Sequence, residues 1–360
     1  MREEHMKKNS LILWIITLSL AFLPIHSLSA AGGQEKEENR DVEERKEPFD
    51  IAVFVPGVVS GSPVYEQLVE GAEKAAAEYE HAALKVVEGG FNQSEWVEKV
   101  TSLAATGQYE VILTSNPAMP YVAAEVVESF PDQKFINVDG YLEGNPNIYT
   151  LLYNQVEQAY FVGYLGGLVT TSGMEGVNPE LKVGLVVAQE YPVLMKMIKP
   201  GYEKGFKAVD PDIELDYRVI GNWYDANKAA DLANSMFDAG VDVVLTIAGG
   251  ANQGVIKAAK ERGKYVLYFD AAEYDIAPGV IIGCAVLKQS KAVYESVKKA
   301  VEGNLPYGTA EVVDTEDGFI DFADDDPLYK KHVPVKIRGK MAELVKKMKN
   351  GELHFEVPEM

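Results

Sequence analysis

Residues 50–79 read DIAVFVPGVVSGSPVYEQLVEGAEKAAAEY. The first six form a short strand rich in branched and aromatic side chains, and Pro56-Gly57 stops it. From 63 to 79 the apolar residues Tyr65, Leu68, Val69, Ala72 and Ala76 fall at helical spacing. This strand, small-residue loop and amphipathic helix form one βα unit, and the unit recurs. Strands are expected at 84–87, 110–113 and 134–138, with helices at 94–105, where Ser94 is a candidate N-cap, and at 118–130. Such a succession builds a parallel sheet covered on both faces.

After a longer helix at 154–171 the pattern restarts. Strands are expected at 182–187, 214–219, 241–246, 265–269 and 279–286, and helices at 192–209, 226–239, 252–262 and 290–302. The tail from Ala310 is less regular, with a helix near 340–349. The fold class is α/β, with two doubly wound parallel-sheet lobes joined by a hinge. Lobe 1 is expected to hold 49–157 and about 287–310, lobe 2 158–286 and about 311–345, with 346–360 as a C-terminal tail. More than one crossover between lobes makes a hinge that closes like jaws.

The first 31 residues have the layout of a secretory signal. Arg2, Lys7 and Lys8 precede an uncharged apolar run from Leu11 to Leu23. Pro24 breaks that run, and the small residues around Ser27 to Ala31 offer cleavage after Ser29 or after Ala31. The run is short for a spanning helix, and no cysteine near the cut offers a lipid attachment point. Residues 32–48, mostly polar and charged, read as a flexible acidic leader. We therefore expect an exported, periplasmic protein, soluble once the signal is removed.

A net charge of −21 argues against nucleic acid and anionic membranes as partners, because both are bound through basic patches. Cys284 is the only cysteine and sits in an apolar run, which suits a buried small hydrophobe better than a nucleophile. His5 and His26 leave with the signal, and His81, His332 and His354 lie outside the strand-end loops. No catalytic triad or metal cluster is expected at those loops, so the chain reads as a binding protein and not an enzyme.

Three segments of the second half carry a resemblance. They are Gly221-Asn222-Trp223-Tyr224-Asp225, Ala239-Gly240-Val241-Asp242-Val243, and the run from Ala248 to Ile256, AGGANQGVI. With Tyr160 to Gly167 (YFVGYLGG) and Tyr268-Phe269-Asp270, their order resembles the basic membrane protein family of substrate-binding proteins. These are receptors of ABC importers on the type I periplasmic-binding fold, and the purine nucleoside receptors belong to them. The likeness covers roughly 50–309. The family's nucleoside receptors carry an Asp and a Ser-Phe-Asn run in the first βα loop. Here that loop, from Gly57 to Tyr65, has neither the Asp nor the Phe.

The resemblance makes Asp270 a ligand for sugar hydroxyls, since a carboxylate accepts two hydroxyl hydrogen bonds at once. It makes Lys288 a donor to the ligand or an ion-pair partner of Asp270. Trp223 is either a stacking platform or a residue packed under its loop. Gly249, with Gly250, either admits a flat ring to the backbone or makes a tight turn. Asn252 either contacts ligand or caps the next helix. Tyr65 stands where the family residues are missing, as a second platform or a hydroxyl donor. Ser62, Asn116 and Tyr191 follow other strand ends and complete the candidate set.

The resulting expectation is an ABC-importer receptor without cofactor or metal, acting as a monomer with a small-molecule ligand and a permease as partners. The ligand is expected to be a heteroaromatic ring with a polyhydroxyl chain. Riboflavin leads, because riboflavin receptors also occur in the family and three rings need the space left by the missing Asp and Phe. A purine nucleoside is the alternative. A ligand-sensing subunit of a membrane signalling receptor would use the same fold.

Overall fold

The computed structural model describes residues 47–359. The expected signal and all but the last two residues of the expected leader lie outside them. Two six-stranded sheets form the frame. The first collects β1 (Phe49–Val55), β2 (Ala82–Glu88), β3 (Val111–Ser115), β4 (Lys134–Val138) and β5 (Ile148–Tyr153). The second collects β6 (Lys182–Val187), β7 (Glu214–Val219), β8 (Val243–Ile247), β9 (Tyr265–Asp270) and β10 (Ile281–Leu287). Two late strands complete them: β11 (Ala310–Val313) joins β5, and β12 (Ile320–Phe322) joins β10.

The strand orders are β11-β5-β4-β3-β1-β2 and β12-β10-β9-β8-β6-β7, the same order twice. Every pairing is parallel except that of β12 with β10. The helices are α1 (Pro63–Ala76), α2 (Trp96–Ala104), α3 (Met119–Ser129), α4 (Gln155–Thr170), α5 (Lys199–Lys207), α6 (Ala226–Asp238), α7 (Asn252–Arg262), α8 (Gln289–Val301), α9 (Pro327–His332) and α10 (Val335–Lys349).

The alternation of side chains along β1 shows why the sheet is covered twice. Ile51, Val53 and Val55 pack with Leu68 and Ala72 of α1 and Val293 and Val297 of α8. Ala52 and Phe54 point the other way, onto Trp96 and Val100 of α2 and Val122 and Val126 of α3. In α4 every residue except Tyr164 is buried, which explains a helix apolar on all sides. It approaches α5 closely: a Cβ on Gly163 would run into the Tyr202 carbonyl, and one on Gly201 would meet Val156.

Three connections cross between the lobes and lie side by side. Asn154 N–H donates to the Val313 carbonyl at 2.8 Å, Lys288 N–H to the Phe319 carbonyl at 2.8 Å, and Thr315 N–H to Glu157 Oε2 at 3.0 Å. Two expected helices begin differently. The segment expected to be a helix capped by Ser94 begins with a tight turn at Gln93–Glu95, and the Ser94 hydroxyl donates to Asn92 Oδ1 at 2.8 Å instead of capping. The segment expected to be one helix at 192–209 contains a π-turn at Leu194–Ile198 ahead of α5. Pro200 follows it; a proline ring clashes with the carbonyl four residues back, and a widened turn relieves that clash. No helix among the described residues is long and apolar enough to cross a membrane.

Candidate functional site

Because the two sheets share one strand order, β4 and β9 are counterparts. An aspartate with left-handed backbone closes each, Asp139 just after β4 at φ 64° and Asp270 at the end of β9 at φ 72°. Aspartate adopts this conformation more readily than most residues. It turns each carboxyl off its sheet edge and into the gap between the lobes. Asp139 accepts a hydrogen bond from Gln155 Nε2 at 3.3 Å, and Asp270 from Gln158 Nε2 at 3.0 Å. Both donors lie on the first turn of α4, the first crossover.

The two carboxyls are deep but not sealed. Burial, and next the facing charge of Asp270, push Asp139 up to about 7. Burial pushes Asp270 up to about 6, against the lowering effect of the Gln158 amide. Among the described residues no Lys, Arg or His forms an ion pair with either.

Tyrosines surround this pair. The Tyr153 hydroxyl is buried without a hydrogen-bond partner; burial raises it well above the usual phenol range, and Asp139 and Asp270 raise it further. Tyr191 is raised by burial first, then by Asp270 and Asp139. Its ring lies 6.3 Å from that of Trp223, tilted by 37°. From the other lobe, the Tyr65 hydroxyl donates to the Pro56 carbonyl at 3.2 Å. Burial pushes Tyr65 up to about 12, with Asn116 lowering and Asp139 raising it. Gly57 makes room here, since a Cβ would stand 2.7 Å from the Tyr65 ring. Asn137 Oδ1 and Nδ2 and Gln158 Oε1 are also buried without partners. Unpartnered buried polar atoms are costly, so the Tyr153 hydroxyl and Gln158 Oε1 beside the two carboxyls suit a polar ligand.

Of the residues singled out from sequence, Asp270, Tyr65, Asn116 and Tyr191 converge on this gap, and Trp223 joins through Tyr191. Ser62 precedes α1 as its half-buried N-cap residue without a side-chain bond, its carbonyl accepting from Tyr65 and Glu66. Gly249, at φ 55°, is exposed and fits beneath Trp223: a Cβ would stand 3.4 Å from the Trp223 carbonyl and 3.5 Å from its ring.

Asn252 holds the loop before α7. Its Oδ1 accepts from Thr246 Oγ1 at 2.7 Å and Ala248 N–H at 2.8 Å, and it is buried. Lys288 is exposed at the N-cap of α8 and forms no ion pair with Asp270. Both line an open pocket of about 510 Å³ on the hinge side of the gap, with Asp321, Asp324 and Lys349. Sequence reasoning missed Asp139, Tyr153, Gln155 and Gln158. The signal for Asp139 was present: Val138-Asp139-Gly140 repeats the strand-end position of Phe269-Asp270-Ala271.

Comparison with known proteins agrees with this frame. The model of a family described as "ABC transporter substrate-binding protein PnrA-like" matches residues 49–353. The chain belongs to that family. PnrA-like proteins are solute-binding components of ABC transporters, not enzymes. Among curated relatives, the CD4+ T-cell-stimulating antigen of Listeria monocytogenes serovar 1/2a is 25% identical over 222 residues, 57% of this chain and 60% of that protein. The match thus spans about 60% of that relative's length. The ABC transporter nucleoside-binding protein BmpA of Lactococcus lactis subsp. cremoris is 26% identical over 152 residues, 42% of this chain and 41% of that protein. The crystal structure of an ABC transporter solute-binding protein from Aeropyrum pernix K1 superimposes with a TM-score of 0.71 at 20% identity, covering 87% of this chain and 94% of that one. That likeness concerns the fold, and it is the two-lobed binding-protein fold expected from the sequence.

Proposed function

We propose that this PnrA-like protein captures a purine nucleoside, or a close neutral analogue, between its lobes and delivers it to the permease of an ABC importer outside the cytoplasm. The observation that carries the reading is the facing pair Asp139 and Asp270, with no basic side chain paired to either among the described residues. Two carboxylates in such a place call for hydrogen-bond donors on both ends of one ligand. A nucleoside offers the sugar diol to Asp270 and ring N–H groups to Asp139, while Tyr65, Tyr191 and Trp223 supply aromatic surface for the base.

Riboflavin gives way in this reading. Its case rests on the riboflavin receptors of the family and on the space left by the missing Asp and Phe of the first loop, and Asp139, just after β4, supplies a carboxylate instead. The Lactococcus relative named for nucleoside binding points in the same direction.

Titration calorimetry with adenosine, guanosine, inosine and riboflavin tests the proposal. A nucleoside is expected to bind at micromolar or tighter affinity, about −8 kcal/mol. Asp270→Ala should weaken it by about a hundredfold, since a hydrogen bond to a charged group contributes ~1.5–3 kcal/mol. Riboflavin binding with a yellow, flavin-like absorbance and no nucleoside binding would sink the nucleoside reading.

A further inference from the structure

A second polar cluster lies away from the gap, where the crossovers meet the C-terminal segment. Glu157 comes from the first turn of α4, Asp314 from the connection between β11 and β12, and His354 from the chain beyond α10. Their ligating atoms all lie within 4.8 Å of one another. His354 Nδ1 is 3.0 Å from Glu157 Oε1 and 3.5 Å from Asp314 Oδ2. Metal–ligand bonds of about 2.0–2.2 Å meeting at a tetrahedral angle hold ligand atoms about 3.4 Å apart, so the spacing suits a shared ion.

Charge makes the same point. Glu157 is 2% exposed and Asp314 18%, yet among the described residues His354 is the only basic group within ion-pair distance of either. A second observation comes from Thr315. Its buried hydroxyl, at 1% exposure, lies against Glu157 and, like the Thr315 N–H, helps to orient that carboxylate. The His354 side chain is 45% exposed, which leaves a way in from solvent and a position for water.

We propose that Glu157, Asp314 and His354 form a binding site for a divalent first-row transition ion of the zinc class, which fastens the C-terminal segment to the hinge. An imidazole with two carboxylates suits such an ion better than calcium or magnesium, which take oxygen ligands. The segment is already placed for the role. The Phe355 ring lies 4.6 Å from that of Tyr160, and Asn154 Nδ2 donates to the Phe355 carbonyl at 2.7 Å. The Thr315 N–H on Glu157 Oε2 orients the buried carboxylate, as outer partners of metal ligands do. The site uses none of the gap's residues and does not depend on what the gap binds.

The test uses the full exported chain, without a histidine tag and stripped with EDTA, titrated with zinc by calorimetry and by thermal unfolding. One equivalent should bind and raise the melting temperature by about 5 °C at saturation, reversibly on chelation. Cobalt in place of zinc should give visible absorption bands. His354→Ala should lose the saturable site, the shift and the bands. Asp314→Asn should weaken binding at least about tenfold, and serves as the second variant should His354→Ala fold poorly. His81→Ala, at a distant imidazole, should change nothing. Absence of saturable binding, or equal binding by His354→Ala and Asp314→Asn, overturns the proposal and leaves His354 as an ion-pair partner only.

Discussion

Asp139 and Asp270 hold the chemistry of the gap because they are alike and close. Each is raised above its ordinary value, to about 7 and about 6, by burial first. The folded, ligand-free protein therefore binds more protons than the unfolded chain between about pH 4 and 7. The stability this contributes is complete below the ordinary aspartate range and is lost as pH rises through 6 to 7. A ligand that donates to these oxygens needs them ionised, so capture expels a proton. Calorimetry at pH 6 in buffers of different ionisation enthalpy should show release of about one to one and a half protons per ligand, falling nearly to none at pH 8. Asp139→Asn should remove most of that release, and a buffer-independent heat at pH 6 would refute the coupling. Half of this pair was readable from the resemblance of Tyr268-Phe269-Asp270. The other half was readable only by setting the two βα successions against each other. Tyr153 and Gln158 were not legible, because their roles arise where β5 runs into a helix that the sequence marks merely as apolar.

At the scale of elements, β–α alternation was legible where a strand buried on both faces is set off by loops, as in β1, β6 and β8. The strand β5 was passed over although Ile148 to Tyr153 is all buried, because the helix behind it starts two residues later. The short strands β11 and β12 exist through pairing with β5 and β10, a tertiary effect with no local pattern. Helix α4 announced itself as apolar, but its glycines showed their purpose only in the packing. Gly163→Ala sets a Cβ against the backbone of α5, where no rotamer change relieves it. It should lower stability by about 1–3 kcal/mol, seen as a fall in melting temperature. Gly339→Ala is the counterpart. It lies in α10, exposed and with nothing near its Cβ, and should raise stability by about 0.5–1 kcal/mol. Equal effects of the two would show that the α4–α5 contact is loose.

The whole molecule adds a selectivity that neither lobe has alone. The chain carries a net charge of −21, and the two carboxyls face each other with no basic side chain paired to either among the described residues. The hinge-side pocket beside Asp270 adds Asp321, Asp324 and Asp325 against Lys288 and Lys349. A phosphorylated ligand would bring like charge into this field, at a cost of several kcal/mol. A nucleoside 5′-monophosphate should therefore bind at least about a hundredfold more weakly than its nucleoside. The neutral ligand feels little long-range field, so its affinity should hold nearly constant from about 0.05 to 0.5 M salt, while any residual nucleotide binding should strengthen as salt screens the repulsion. Competition calorimetry of nucleoside against its monophosphate across that range measures both effects. Comparable affinities at low salt would mean that the cationic Lys288 and Lys349 govern the approach, and that Asp139 and Asp270 do not set the charge of the captured solute.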